Sequence, residues 1–242
     1  MSQSEITASE LSSNYKLEIP EHLRHLLFIG LLSGVVGLIL IVVMPADQRL
    51  FAAVLLVIGI VAAINAALLA LVTNRGARLS ARHKMMDMVE WRGNEMILDV
   101  GCGNGFLLLE AAKHLTTGKA IGIDAWVEGS GGQNADAAWR NAHIEGVADK
   151  IDVQNVDARK MPFENETFDV IMSSLALHHM GSNADREQAF REMIRILKPG
   201  GTILLYDMFP MIGQAAAQMR RSKFTAVKRL GGFPLVVLSV SK

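Results

Sequence analysis

The residues best equipped for chemistry stand in ILDVGCGNGF, residues 97–106, where an apolar run ends in Asp99 and Gly101, Gly103 and Gly105 follow at alternate positions. A strand that feeds a glycine turn lets backbone groups approach a nucleotide-like ligand without interference from Cβ atoms. Downstream, Asp124 closes IGID, Asp157 opens DARKMPF, and His178 and His179 follow SSLAL. Carboxylates at strand ends suit the hydroxyls of a ribose or a cationic group, and histidine suits proton transfer near neutral pH. Cys102 lies between two glycines with no neighbouring cation to lower its pKa, so it reads as packing rather than as a nucleophile. No third ligand stands at a useful spacing from the two histidines, so no metal site is expected.

These residues need elements to bring them together, and from Arg75 onward short apolar runs alternate with helical patterns. Strands are expected at Met96–Val100, Ala120–Ile123, Ile151–Val156, Val170–Ser173 and Thr202–Tyr206, with helices at Phe106–His114, Ala135–Glu145 and Arg186–Leu197. The last helix should stop at KPGG. Repeated β-α-β units imply a doubly wound α/β fold whose sheet binds ligands at the carboxyl ends of its strands. The closing segment FTAVKRLGGFPLVVLSVSK reads as two strands about a Gly-Gly turn, an antiparallel hairpin on an otherwise parallel sheet.

The glycine spacing discriminates among cofactors. A dinucleotide fingerprint needs its third glycine where this chain has Phe106, and no Walker lysine follows the turn. Taken in order, ILDVGCGNGF, IGID, VDARKMPFENETFDVIMSSLALHH and REMIRILKPGGTILLYD resemble the class I S-adenosylmethionine-dependent methyltransferases, over roughly residues 96–242. The resemblance implies a Rossmann-like domain with S-adenosylmethionine as its cofactor. It implies that Asp99, Gly101, Gly103 and Gly105 line the methionine end and that Asp124 binds the ribose hydroxyls. Asp157 and Ala158 would sit by the adenine amino edge, with Trp126 over the ring. Cys102 and Asn104 in the turn, Ala125 after Asp124, and Ser173 at the end of strand four complete the implied cofactor set. His178 is the candidate base, ranked above His179 because adjacent side chains rarely point the same way.

Ahead of this domain the composition changes. Half of the 242 residues are hydrophobic while only 6% are aromatic, and the mean hydropathy is +0.27. Two charge-free stretches, Leu26–Met44 and Leu50–Val72, account for the excess, and at roughly 28 and 34 Å as helices each matches a bilayer core. The short polar link PADQR makes them a transmembrane helical hairpin over residues 25–73, after a mobile tail at 1–24 and before an amphipathic linker segment at 74–95 whose helix is expected over Ala77–Trp91. The methyltransferase domain then occupies 96–242. Gly30, Gly34 and Gly37 face Gly59, Ala63 and Ala67 as small-residue stripes, and Asn65 is expected to reach across to Gly30 and Ser33. Oligomerisation through the hairpin is a further use of such stripes. Lys16, Arg24, Arg75, Arg78, Arg82 and Lys84 flank the spans against Arg49 in the link, which places both termini and the catalytic domain in the cytoplasm.

Zero formal net charge argues against nucleic acid as a partner, as does the lack of an Asn/Asp-Pro-Pro-aromatic motif where SSLALHH stands. The apolar segment Met208–Ile212 and the hairpin point to a small-molecule or lipid-like acceptor, quinone-type molecules included, met at the bilayer. The competing readings are a non-catalytic S-adenosylmethionine-binding membrane sensor or scaffold, and a nicotinamide-linked oxidoreductase weakened by Phe106.

Overall fold

The structure, a computed structural model, describes residues 21–73, 75–126, 134–221, 224, 226–232 and 235–241. The tail expected at 1–24 lies outside these residues up to position 20. The chain divides into two compact units, residues 17–78 and the unit that carries residues 79–242.

The first unit is a pair of helices, α1 (Glu21–Val43) and α2 (Arg49–Thr73), joined through a short 3-10 turn at Ala46–Gln48. Their closeness follows from glycine: a Cβ on Gly34 would lie 2.6 Å from the Gly59 Cα, and one on Gly37 would lie 2.5 Å from the Leu56 amide. The second-helix partners are Gly59 and Ala62, with Ala52, Leu55 and Leu56 about Gly37, whereas Ala63 is exposed and the side chain of Ala67 lies outside those described. Asn65 does not bridge the helices. It is exposed and donates from Nδ2 to the Val61 carbonyl of its own helix at 2.7 Å, while Ser33 Oγ donates to Gly30 at 2.7 Å. A short polar side chain finds the carbonyl one turn back before it finds a neighbour.

Helix α3 (Arg75–Met86) follows. It ends at Met86 and does not reach Trp91, whose indole instead donates to the Met86 carbonyl at 2.9 Å. The second unit has a seven-stranded sheet: β1 (Met96–Val100), β2 (Lys119–Asp124), β3 (Ile151–Asn155), β4 (Phe168–Ser174), β5 (Leu197–Met208), β6 (Ala226–Gly232) and β7 (Leu235–Ser241). Its order is β3-β2-β1-β4-β5-β7-β6, parallel throughout except that β7 runs antiparallel to both neighbours. Gly231 and Gly232, expected as a turn, instead pair within β6 with Val236 and Leu235, and positions 233–234 lie outside the described residues.

Helices α4 (Leu108–Lys113) and α5 (Ala135–Glu145) cover one face together with α3, which contributes Ala81, Met85 and Met86 to the core. Helices α6 (Asn183–Ile196) and α7 (Phe209–Arg221) cover the other with Phe190, Met193, Ile212 and Met219. Two covered faces explain why β1, β4 and β5 read as apolar runs rather than as alternating strands. Helix α6 stops at Ile196, and Lys198–Gly201, expected as its stop signal, lies within β5, where the β4 pairing jumps from Phe168–Leu197 to Val170–Thr202. The order reverses between β1 and β4, which makes their carboxyl ends the expected ligand position.

Candidate functional site

The glycine turn leaves β1 at that switch point and is held by its own backbone. The amides of Gly101 and Cys102 both donate to the Ile123 carbonyl, at 2.8 and 3.1 Å, and Gly105 donates to the Cys102 carbonyl at 2.8 Å. Gly101, Gly103 and Gly105 all have positive φ, the first at 76°. At Gly101 the lack of a side chain has a second use, because any Cβ would collide with that of Ala176 in the segment after β4. Asn141 of α5 donates to the Asn104 carbonyl at 2.9 Å. Cys102 is buried, and burial pushes its thiol pKa well up, consistent with packing.

Two carboxylates stand beside the turn. Asp124, at the end of β2, accepts from the Gly103 amide at 2.8 Å, and burial raises its pKa against the pull of the Gly103 and Ala125 amides. Asp99 is buried at 1% exposure, and neither of its oxygens has a hydrogen-bond partner among the described residues. Burial is the main reason that its pKa stands at about 7; the backbone amide of Leu108 pulls it down, and the nearby Asp124 charge adds to the rise. A buried carboxyl group left unpaired is costly, and its chemistry suits a cationic ligand group. Trp126 is partly buried against the first-face core, with an indole N–H that has no described partner; Ala125 beside it is exposed. The glycine cradle, the orphaned Asp99 and the half-buried Asp124 fit a zwitterionic, cationic nucleoside such as S-adenosylmethionine.

Other expected ligands are already committed. Asp157 receives the backbone and guanidinium of Arg159, which also reaches Asp185 at 2.9 Å; these bonds hold the Asp157 carboxyl below its ordinary range. Its carboxylate therefore closes a turn next to Ala158 rather than presenting itself unpaired. Ser173 is buried and donates to the Val100 carbonyl at 2.8 Å, latching β4 to β1.

Past β4 the chain turns sharply. Leu175 has φ of 53°, a left-handed conformation that costs a leucine about 1–2 kcal/mol, and its amide donates to Tyr206 at 2.8 Å. The turn delivers Leu177–His179 as a 3-10 segment facing the end of β5. There Asp207, only 1% exposed, lies 2.9 Å from His178 Nδ1 and accepts from the amides of Leu177 and Met208. In the neutral ring, a carboxylate acceptor at Nδ1 places the hydrogen there and leaves the lone pair on Nε2. The two histidines do not diverge: their ring centroids are 4.0 Å apart, because a 3-10 turn rather than a strand carries them. Burial first, and then the His178 charge, lower the His179 pKa while Asp207 opposes the shift. Asp207 was not singled out by spacing, although a carboxylate closing the apolar run ILLY could have marked it. Among the described residues, no group of three or more metal-ligating side chains is gathered.

Residues 98–205 match the family described as methyltransferase domain. The chain is 27% identical over 159 residues to a 27-O-demethylrifamycin SV methyltransferase of Amycolatopsis mediterranei, covering 66% of this chain and 54% of that one. It is 28% identical to a ubiquinone/menaquinone biosynthesis C-methyltransferase of Roseobacter denitrificans, over 63% of this chain and 66% of the relative. Among solved structures, a SAM-dependent methyltransferase from Aquifex aeolicus superposes with a TM-score of 0.55 at 18% identity, over 66% of this chain and 88% of that one, which speaks for the fold. The chain spans about half or less of the length of the curated relatives it matches first. Over residues 98–205, less than half of the chain, the sequence is thus similar to the methyltransferase-domain family, and the solved structure shares the fold.

Proposed function

We propose that this chain is a membrane-anchored methyltransferase that moves the methyl group of S-adenosylmethionine to a small apolar acceptor of lipid or quinone type. The observation that carries the catalytic part is one juxtaposition: the glycine turn with Asp99 and Asp124, and the His178–Asp207 pair, at the carboxyl edge of one sheet. In this reading Asp99 meets the cationic methionine end, Asp124 holds the ribose, and the backbone of Gly101 to Gly105 frames the amino acid portion. Methyl transfer is an in-line displacement, so holding donor and acceptor aligned supplies much of the rate. His178 Nε2 takes the proton from an acceptor that carries one at its attacking atom, and Asp207 keeps the ring in the required tautomer and steadies the imidazolium.

Anchoring rests on the first unit. Among the described residues, the large exposed hydrophobic side chains all lie between Phe28 and Ile64, far more apolar surface than a soluble protein leaves bare. One helical stretch, Ala46–Ala66, is long and apolar enough to cross a membrane by length and composition; the apolar run of α1, Leu27–Val43, is shorter. The glycine stripe is consumed inside the hairpin, which favours lipid over a second copy of the chain as the neighbour of its outer face. The flanking cations favour a cytoplasmic catalytic domain. The name of the Roseobacter relative supports a quinone-type acceptor, and the apolar start of α7 is where it would dock.

The test is transfer of labelled methyl from S-adenosylmethionine to a membrane lipid extract by the full chain. Asp124→Ala should weaken cofactor binding with the fold intact. His178→Ala and Asp207→Asn should each slow transfer by about 100-fold while cofactor affinity stays unchanged. Wild-type rates in both variants would remove the base from the mechanism, and failure to bind S-adenosylmethionine would overturn the whole reading.

A further inference from the structure

The sequence puts Arg82 in a linker, 24 positions before the end of the glycine turn, yet its guanidinium lies on that turn. We propose that Arg82 is a positioning residue for S-adenosylmethionine, fixing the course of the chain just past the third glycine; the inference rests on the turn being the cofactor site.

Three contacts from one side chain carry it. The Arg82 guanidinium carbon lies 4.6 Å from the centroid of the Phe106 ring. Its Nη1 donates to the Phe106 carbonyl at 3.3 Å, and Nη2 lies 3.2 Å from the Glu110 carboxylate on α4. Both charged side chains are largely withdrawn from water, at 11% and 15% exposure, so the contacts are weakly screened. Phe106 stands where a dinucleotide fold needs a glycine, and here the extra bulk becomes a platform for a cation.

Only a planar guanidinium can lie against a ring, donate to that residue's carbonyl and pair with a carboxylate at once; an ammonium is a compact point charge. Arg82 Nε is buried with no partner among the described residues. A residue kept only for stability would gain by shedding that orphaned N–H, whereas one kept to aim the turn can carry it. The contacts divide the work. Residues 101–104 are held by Ile123, Asp124 and Asn141, from the sheet and from α5. Phe106 and the start of α4 are gripped by α3. The functional unit therefore begins before the family match at residue 98.

Titration of S-adenosylmethionine into the full chain tests this, with melting temperature recorded for each variant. Arg82→Ala should weaken binding about tenfold, equivalent to about 1.4 kcal/mol. Arg82→Lys should recover little of the loss. Phe106→Leu should weaken binding less than Arg82→Ala, and the double variant should bind no worse than Arg82→Ala alone. Wild-type affinity in a folded Arg82→Ala or Arg82→Lys, or a lower melting temperature without a change in affinity, overturns the inference. If Arg82→Ala does not fold, Arg82→Lys and Phe106→Leu decide it by the same readings. Absence of binding by the wild-type chain would instead overturn the cofactor reading beneath it.

Discussion

At the scale of residues, Asp99 connects the fold to a measurable proton. Its carboxyl stands at about 7 in the fold, raised mainly by burial, against about 4 for an unfolded aspartate. The folded state therefore holds a proton that the unfolded state has released, and stability falls as pH rises from about 4 to about 7, then levels off. A cationic ligand group reverses the preference by favouring the carboxylate. Binding of S-adenosylmethionine should then release a proton below neutrality, and affinity should rise by up to about tenfold per pH unit toward pH 7 before flattening. Calorimetry in buffers of different ionisation enthalpy, at about pH 6, would count that proton, and Asp99→Asn should abolish it. A pH-independent affinity in the wild-type chain would remove Asp99 from the cofactor site. Asp99 and the glycines were legible because their types and spacing sit within one decapeptide. Asp207 and Arg82 were not, since each meets its partner only when distant segments converge, 29 and 24 positions apart. Asp157 was expected beside the adenine edge, a reading that took no account of Arg159, whose guanidinium binds its carboxylate.

At the scale of elements, the alternation of apolar runs and helical patterns located all five parallel strands at the core of the sheet, with Met96–Val100 matching end to end. Edges moved where packing overrides local signals: β5 begins at Leu197, directly after α6, although Lys-Pro-Gly-Gly marks a stop in any local reading. The amphipathic pattern near residue 80 announced a helix without revealing that Met85 and Met86 bury themselves in the soluble core, since periodicity gives a face but not its partner. The hairpin supplies the prediction at this scale. Gly34 meets Gly59 backbone to backbone, so a side chain there has no rotamer that avoids the opposite helix. Gly34→Leu should force α1 and α2 apart. Spin labels on Phe28 and Ile64, both exposed, should report a wider and broader distance distribution in bilayers, while the melting of the second unit stays the same. An unchanged distance would mean that the helices do not pack through their glycines.

At the scale of the whole molecule, one unit presents exposed Leu, Ile, Val and Phe among its described residues, and the other carries the glycine turn and the His178–Asp207 pair. If the first unit delivers the enzyme to its acceptor, removing it should cost access rather than chemistry. A chain starting at Leu79 keeps Ala81, Arg82, Met85 and Met86 and so should fold and bind S-adenosylmethionine with the affinity of the full chain. A chain starting at Met96 loses those core contacts; stripping two buried methionines, each worth about 2–5 kcal/mol as a truncation to alanine, should leave it unfolded or partly folded. Between the full chain and the chain from Leu79, methyl transfer to an acceptor in detergent solution should be equal. Transfer to the same acceptor embedded in vesicles should fall steeply for the shorter chain, because the full chain shares a surface with its substrate and the shorter one must find it from bulk water. Equal rates on the embedded acceptor would sink the delivery role, and a hairpin that fails to co-sediment with vesicles would sink the anchor itself.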